Sequence, residues 1–125
     1  MGERILVDTD VIIELLKGNP KALDRLREFG IDRISISAIT VMELFFGAFN
    51  KSELGQIKED LAAFEILYVD EETSRCAVDL MERFSKSHHL KIPDAIIGAT
   101  AITSKSKLFT YNRKDFKFMP GVVLV

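Results

Sequence analysis

The chain has 125 residues, of which 47% are hydrophobic and 29% charged, with a formal net charge of −2. These proportions are ordinary for a globular protein and exclude collagen-like, low-complexity and disordered classes, while the near-neutral balance excludes a polybasic coat. The single cysteine, Cys76, cannot close an internal disulfide; no zinc-ligand spacing, signal peptide or membrane span is legible, so the expected setting is the reducing cytoplasm.

Ile5-Leu6-Val7 is a short apolar run ending at Asp8 and predicts a buried strand. Val11 to Lys17 predicts a short helix stopped by Gly18. Asn19-Pro20 offers a cap and a first-turn proline, and Leu23, Leu26 and Phe29 carry that helix to Gly30. Ile34 to Ser37 alternates like a strand, and Ser37 is placed to cap a very apolar helix reaching about Phe49. Leu54, Ile57, Leu61 and Phe64 mark an amphipathic helix, and Ile66 to Val69 a third strand. Asp70 caps a longer helix with the stripe Cys76, Ala77, Leu80, Met81 and Phe84. Pro93 opens another helix to about Ser104, and Leu108 to Tyr111 and Val122 to Val125 read as the last strands. Strands separated by helix pairs imply a mainly parallel sheet of about five strands inside a three-layer α/β/α sandwich, one domain over 1–125.

Charge is unevenly spread. Up to Glu82 there are nine basic residues against seventeen acidic ones; from Arg83 onward there are eight against two. Such a basic third can meet a polyanion, or can reflect no more than differently solvated helix faces.

Four acids sit in apolar surroundings. Asp8 ends the first strand, Glu43 interrupts Val41-Met42 and Leu44-Phe45-Phe46, Asp94 lies between Ile92-Pro93 and Ala95-Ile96-Ile97, and Asp115 precedes Phe116. Burying an ionised carboxylate costs several kcal/mol unless it is compensated. In open α/β sheets ligands gather at the carboxyl ends of the strands, where Asp8, Asp94 and Asp115 fall and where an inward-pointing Glu43 would join them. Converging carboxylates raise one another's pKa unless a cation neutralises them, and oxygen-only ligands suit Mg²⁺ or Mn²⁺. Such an ion serves phosphodiester hydrolysis by an activated water. Taken singly, each acid also fits a helix cap or an ion pair.

The same residues resemble the PIN-domain ribonucleases, in particular the VapC-like toxins of toxin–antitoxin pairs. The resemblance runs through Ile5-Leu6-Val7-Asp8-Thr9, Ser37-Ala38-Ile39-Thr40-Val41-Met42-Glu43-Leu44 with Gly47, Pro93-Asp94-Ala95-Ile96-Ile97-Gly98-Ala99-Thr100-Ala101, and Thr110-Tyr111-Asn112-Arg113-Lys114-Asp115-Phe116. It implies a PIN-like fold and a Mg²⁺- or Mn²⁺-dependent endoribonuclease without a covalent intermediate. By it Asp8, Glu43, Asp94 and Asp115 form the metal-binding set, and Thr9 and Asn112 position acids or water. It also implies an RNA substrate, a homodimer and an inhibiting antitoxin partner. Asp10 departs from the Asn or Ser of many relatives and reads as a helix cap, or else as an outer ligand.

Arg113 and Lys114 are candidates for RNA-phosphate contacts, or for pairing with a site acid. The apolar excess of the helix from Ala38 to Phe49, and of Val11 to Leu16, marks either partner surfaces or centrally buried helices. His88-His89 reads as a helix end-cap or solvated turn, and Cys76 as a buried inert thiol. Asp8-Thr9-Asp10-Val11 also resembles the nucleophile motif of haloacid-dehalogenase-like phosphatases, a reading that leaves Glu43 and Asp94 without a task. A non-catalytic RNA- or protein-binding module is the other alternative.

Overall fold

The computed structural model describes residues 3–125. Its elements follow the expected order. Strand β1 (Ile5–Val7) leads to helices α1 (Thr9–Leu16) and α2 (Pro20–Phe29); β2 (Ile34–Ser37) leads to α3 (Ala38–Phe46) and α4 (Lys51–Leu61); β3 (Glu65–Leu67) leads to α5 (Glu71–Phe84) and α6 (Ile92–Ser104); β4 (Lys107–Phe109) follows. The four strands are parallel in the order β3-β2-β1-β4. Two helices in each crossover give the chain room to return to the start of the next strand.

Strand alternation divides the core. Leu6 and Leu108 pack with α5 and α6 through Leu80, Ile97 and Phe116 on one face. Ile5, Val7, Ile34 and Ile36 pack with Val11, Ile12, Leu26, Leu44 and Leu61 on the other. The sheet is thus buried on both sides, and this is why its strands read as continuous apolar runs. Each fully buried aliphatic side chain contributes roughly 1.5–3 kcal/mol.

The fifth strand shrinks to one rung. Leu124 forms a single parallel bridge to Leu108, with Leu108 N–H donating to Val123 O (2.8 Å) and Val125 N–H to Leu108 O (3.0 Å). Gly121, in the left-handed region at φ +92°, turns the chain alongside β4. Several limits also differ from expectation: α4 stops at Leu61, short of Phe64, and β3 and β4 end at Leu67 and Phe109, short of Val69 and Tyr111. Helix α1 begins at Thr9 because Asp8 itself caps it, Oδ1 accepting from Thr9 N–H at 2.8 Å. Helix α3 stops at Phe46, with Gly47 as its C-cap, and leaves Phe49 beyond its end.

Candidate active site

Parallel pairing places every strand's carboxyl end at one pole, and the acids gather there. Asp8 follows β1 directly and is buried, 5% exposed. Its N–H donates to Phe109 O at the end of β4 (2.9 Å), and its Oδ2 accepts from Thr110 Oγ1 (2.7 Å). Thr110 Oγ1 in turn accepts from Asn112 N–H at 3.0 Å. One hydroxyl therefore clamps the β1 acid to the turn that leads to Asp115.

Glu43 does point inward. Thr9 Oγ1, at the start of α1, donates to Glu43 Oε1 at 2.8 Å and lies 2.9 Å from Thr40 Oγ1. Asp94 stands in the first turn of α6, where the helix dipole favours a carboxylate, and Asp115 closes a 3-10 turn over Arg113–Asp115. The charges of Asp115, Glu43 and Asp10 all act on Asp94, and those of Asp10 and Asp94 act on Asp8. The structure thus brings together the four acids singled out from the sequence, with Asp10 as a fifth.

Asp10 is not the helix cap; Asp8 fills that position. The Asp10 Oδ2 instead accepts from Tyr111 N–H (3.2 Å) and Asn112 Nδ2 (3.0 Å), bracing the same turn, while its buried Oδ1 has no partner. Asn112 and Thr9 both serve to hold acids in place. Of the two cations, Arg113 Nη1 donates to Val125 O at 2.7 Å, and among the described residues neither Arg113 nor Lys114 pairs with a side-chain carboxylate.

Crowding shows in the protonation equilibria. Burial pushes Asp8 up to about 7 against the opposing hydrogen bond from Thr110, with the Asp10 charge adding to the rise. Burial and then the charges of Asp115 and Glu43 raise Asp94 to about 6, partly offset by Lys91. Burial raises Asp10 too. As the side chains stand, no group of three acids, histidines or cysteines among the described residues is set closely enough to hold a metal ion. A hard divalent cation fits the site in charge and donor chemistry: the donors are all oxygens, one buried carboxylate oxygen is orphaned, and mutual repulsion is only partly offset by Lys91.

Thr110, Thr40 and the bracing by Asp10 escaped the sequence reading. A polar residue ending a buried strand was the signal that marked Asp8, and Thr110 carries the same signal after Leu108-Phe109. The phosphatase alternative leaves Glu43 and Asp94 without a task, although both bear on the acid pole.

Comparison with known proteins agrees. The PIN domain family model matches residues 5–121. Ribonuclease VapC10 of Mycobacterium tuberculosis is 34% identical over 110 residues, covering 86% of this chain and 82% of that protein. A toxin–antitoxin complex from Klebsiella pneumoniae contains a chain 34% identical, with TM-score 0.80 and 95% of each chain covered. The DNA-bound VapBC of Salmonella typhimurium, at 21% identity, TM-score 0.87 and coverage of 99% and 98%, shares the fold.

Proposed function

The chain belongs to the PIN-domain family, and on that premise we propose that it is a metal-dependent endoribonuclease, the toxin of a toxin–antitoxin pair. One observation carries the reading: five carboxylates from distant parts of the chain share one pole, and among the described residues none of them is ion-paired. Asp8, Glu43, Asp94 and Asp115 would hold Mg²⁺ or Mn²⁺. Bound there, such an ion supplies positive charge to the phosphoryl oxygens and acidifies the attacking water.

The chain's own part is positioning. Thr110 aims Asp8, Thr9 aims Glu43, and Asp10 with Asn112 sets the turn before Asp115. Lys114, and the guanidinium donors of Arg113 left over from Val125 O, are assigned to RNA-phosphate contacts. The whole reaction is assigned to one domain, residues 1–125. Among the described residues no helix is long and apolar enough to cross a membrane, in keeping with a cytoplasmic setting.

Two apolar faces support the partners. Phe46, 93% exposed, Phe49, 87% exposed, and Met42 line one at the end of α3. Val78 and Ile92 rim a groove between α5 and α6 floored by Ala77, Met81, Ala95 and Ile96. We assign the first to the antitoxin and the second to a second copy of the chain.

The deciding experiment uses purified chain, fluorescent RNA, and a chelator followed by Mn²⁺. Cleavage is expected only with Mn²⁺, and Asp94→Asn should lower it about a hundredfold or more while the fold survives. Cleavage that persists in Asp94→Asn, or that ignores the metal, ends the proposal.

A further inference from the structure

Beside the acids, the turn joining α5 to α6 meets the segment after Asp115 in a stack of rings. His88 lies face to face with Phe118, centroids 4.3 Å apart and planes 20° apart. Phe84 stands edge-on to both, 5.4 Å from His88 and 5.1 Å from Phe118. These similar distances place Phe84 alongside the pair and not over the outer face of the imidazole. His88 is exposed and Phe118 half-buried, so that outer face is turned to solvent. Ser87 Oγ, 2.8 Å from His88 Nδ1, restrains the ring's rotation, and buried Leu90 anchors the turn.

The charges on the two segments that carry the stack are mostly positive. From Ser85 to Pro93 the ionised residues are Lys86 and Lys91, with no carboxylate; from Asn112 to Pro120 they are Arg113, Lys114 and Lys117 against Asp115. Among the described residues neither Lys86 nor Lys91 is ion-paired. Lys91 precedes Asp94 by three residues and Phe118 follows Asp115 by three, so both sides of the stack spring from segments that carry site acids. The Lys91 charge is felt at the Asp94 carboxyl.

A flat ring face held by packing, next to unpaired cations, suits a base whose own face is open and whose phosphates lie on either side. A paired base inside a duplex offers no such face. An acidic peptide would engage the lysines and leave the ring idle. Resting on the nuclease reading above, we propose that His88, stacked on Phe118 and flanked by Lys86 and Lys91, is a ledge that takes an unpaired base of the RNA substrate beside the acid site.

The test measures binding apart from cleavage. The full chain carrying Asp94→Asn is titrated, by fluorescence anisotropy, with a short labelled single-stranded oligoribonucleotide and with its duplex. Adding His88→Ala should raise Kd for the single strand about tenfold, the loss of one stacked base, and His88→Tyr should restore it. Lys86→Ala and Lys91→Ala should each reduce the slope of log K against log salt by about 0.7. The duplex should bind more weakly than the single strand. Unchanged affinity in His88→Ala, or equal affinity for duplex and single strand, overturns the ledge. Cleavage by the unsubstituted chain with Mn²⁺ is run in parallel. Cleavage together with unaltered His88→Ala binding removes the ledge alone; no cleavage and no binding removes the nuclease reading with it.

Discussion

Asp8 is at once a helix cap, a hydrogen-bond acceptor and a buried charge, and these duties compete. With its folded pKa near 7 against 3.8 for the free side chain, the folded state holds a proton that the unfolded chain has already released between those values. Unfolding free energy therefore falls as pH rises through that window, by about 4 kcal/mol for a shift of this size. Thermal melts in chelator should show the midpoint dropping from pH 5 to pH 7.5, with a much shallower drop in Asp8→Asn. Mn²⁺ should flatten the slope as well, since the ion offsets the charge that the protein alone cannot. A steeper stability loss at acid pH would contradict the assignment. Thr9→Val gives a second check, because it keeps the shape and removes the donor to Glu43 Oε1. Outer-shell losses of this kind lower metal affinity or activity by about 10- to 100-fold, readable as a weakened Mn²⁺ titration of cleavage.

Helix α6 shows how an element holds its acid in place. Four of its six buried residues are small, Ala95, Gly98, Ala99 and Ala101, so that α5 and the segment after Asp115 approach closely. A Cβ at Gly98 would run into Met119, which is itself buried. Gly98→Ala gains about 1 kcal/mol of helix propensity but loses about 1–3 to overpacking. A net destabilisation of about 1 kcal/mol is expected in urea melts. In a Met119→Ala background the same substitution should instead stabilise, and a loss of equal size in both backgrounds would rule out the clash. The periodicity of α2 and α5 was legible from the apolar spacing, and that of α4 as far as Leu61. The start of α1 and the end of α3 were not, since each turns on a side chain's choice of partner: Asp8 caps its own helix, and the helix from Ala38 gives out at Gly47.

Across the whole molecule, surplus apolar surface lies on two faces, as the crowding of α3 suggested; in the Val11 to Leu16 stretch Val11 and Ile12 are core residues, and Ile13 stays exposed. Val78→Asp, in the groove between α5 and α6, should convert a dimer to a monomer in light scattering and leave antitoxin capture intact. Phe46→Asp should do the reverse. If either substitution leaves both associations unaffected, the assignment of that face is wrong. Charge asymmetry, too, acquires a location only at this scale: Lys86, Lys91 and Lys114 fall on segments that carry or border the acid pole, whereas Lys107 is paired with Glu3 at 3.0 Å.

Composition and apolar spacing were enough to determine the order of elements, the two-sided burial of the sheet and the four acids that polar-in-apolar placement singled out, because each is a local pattern written within a few neighbouring residues. The blocks around those acids were also enough to suggest the family. Only the tertiary structure decided that Thr110 holds Asp8, that the acid served by Thr9 is Glu43, that Asp10 braces the turn at Tyr111 and Asn112, that the last strand is a single rung, and that His88 lies on Phe118. Those contacts join residues up to 102 positions apart. Such pairings depend on strand register and helix rotation, which no local spacing encodes.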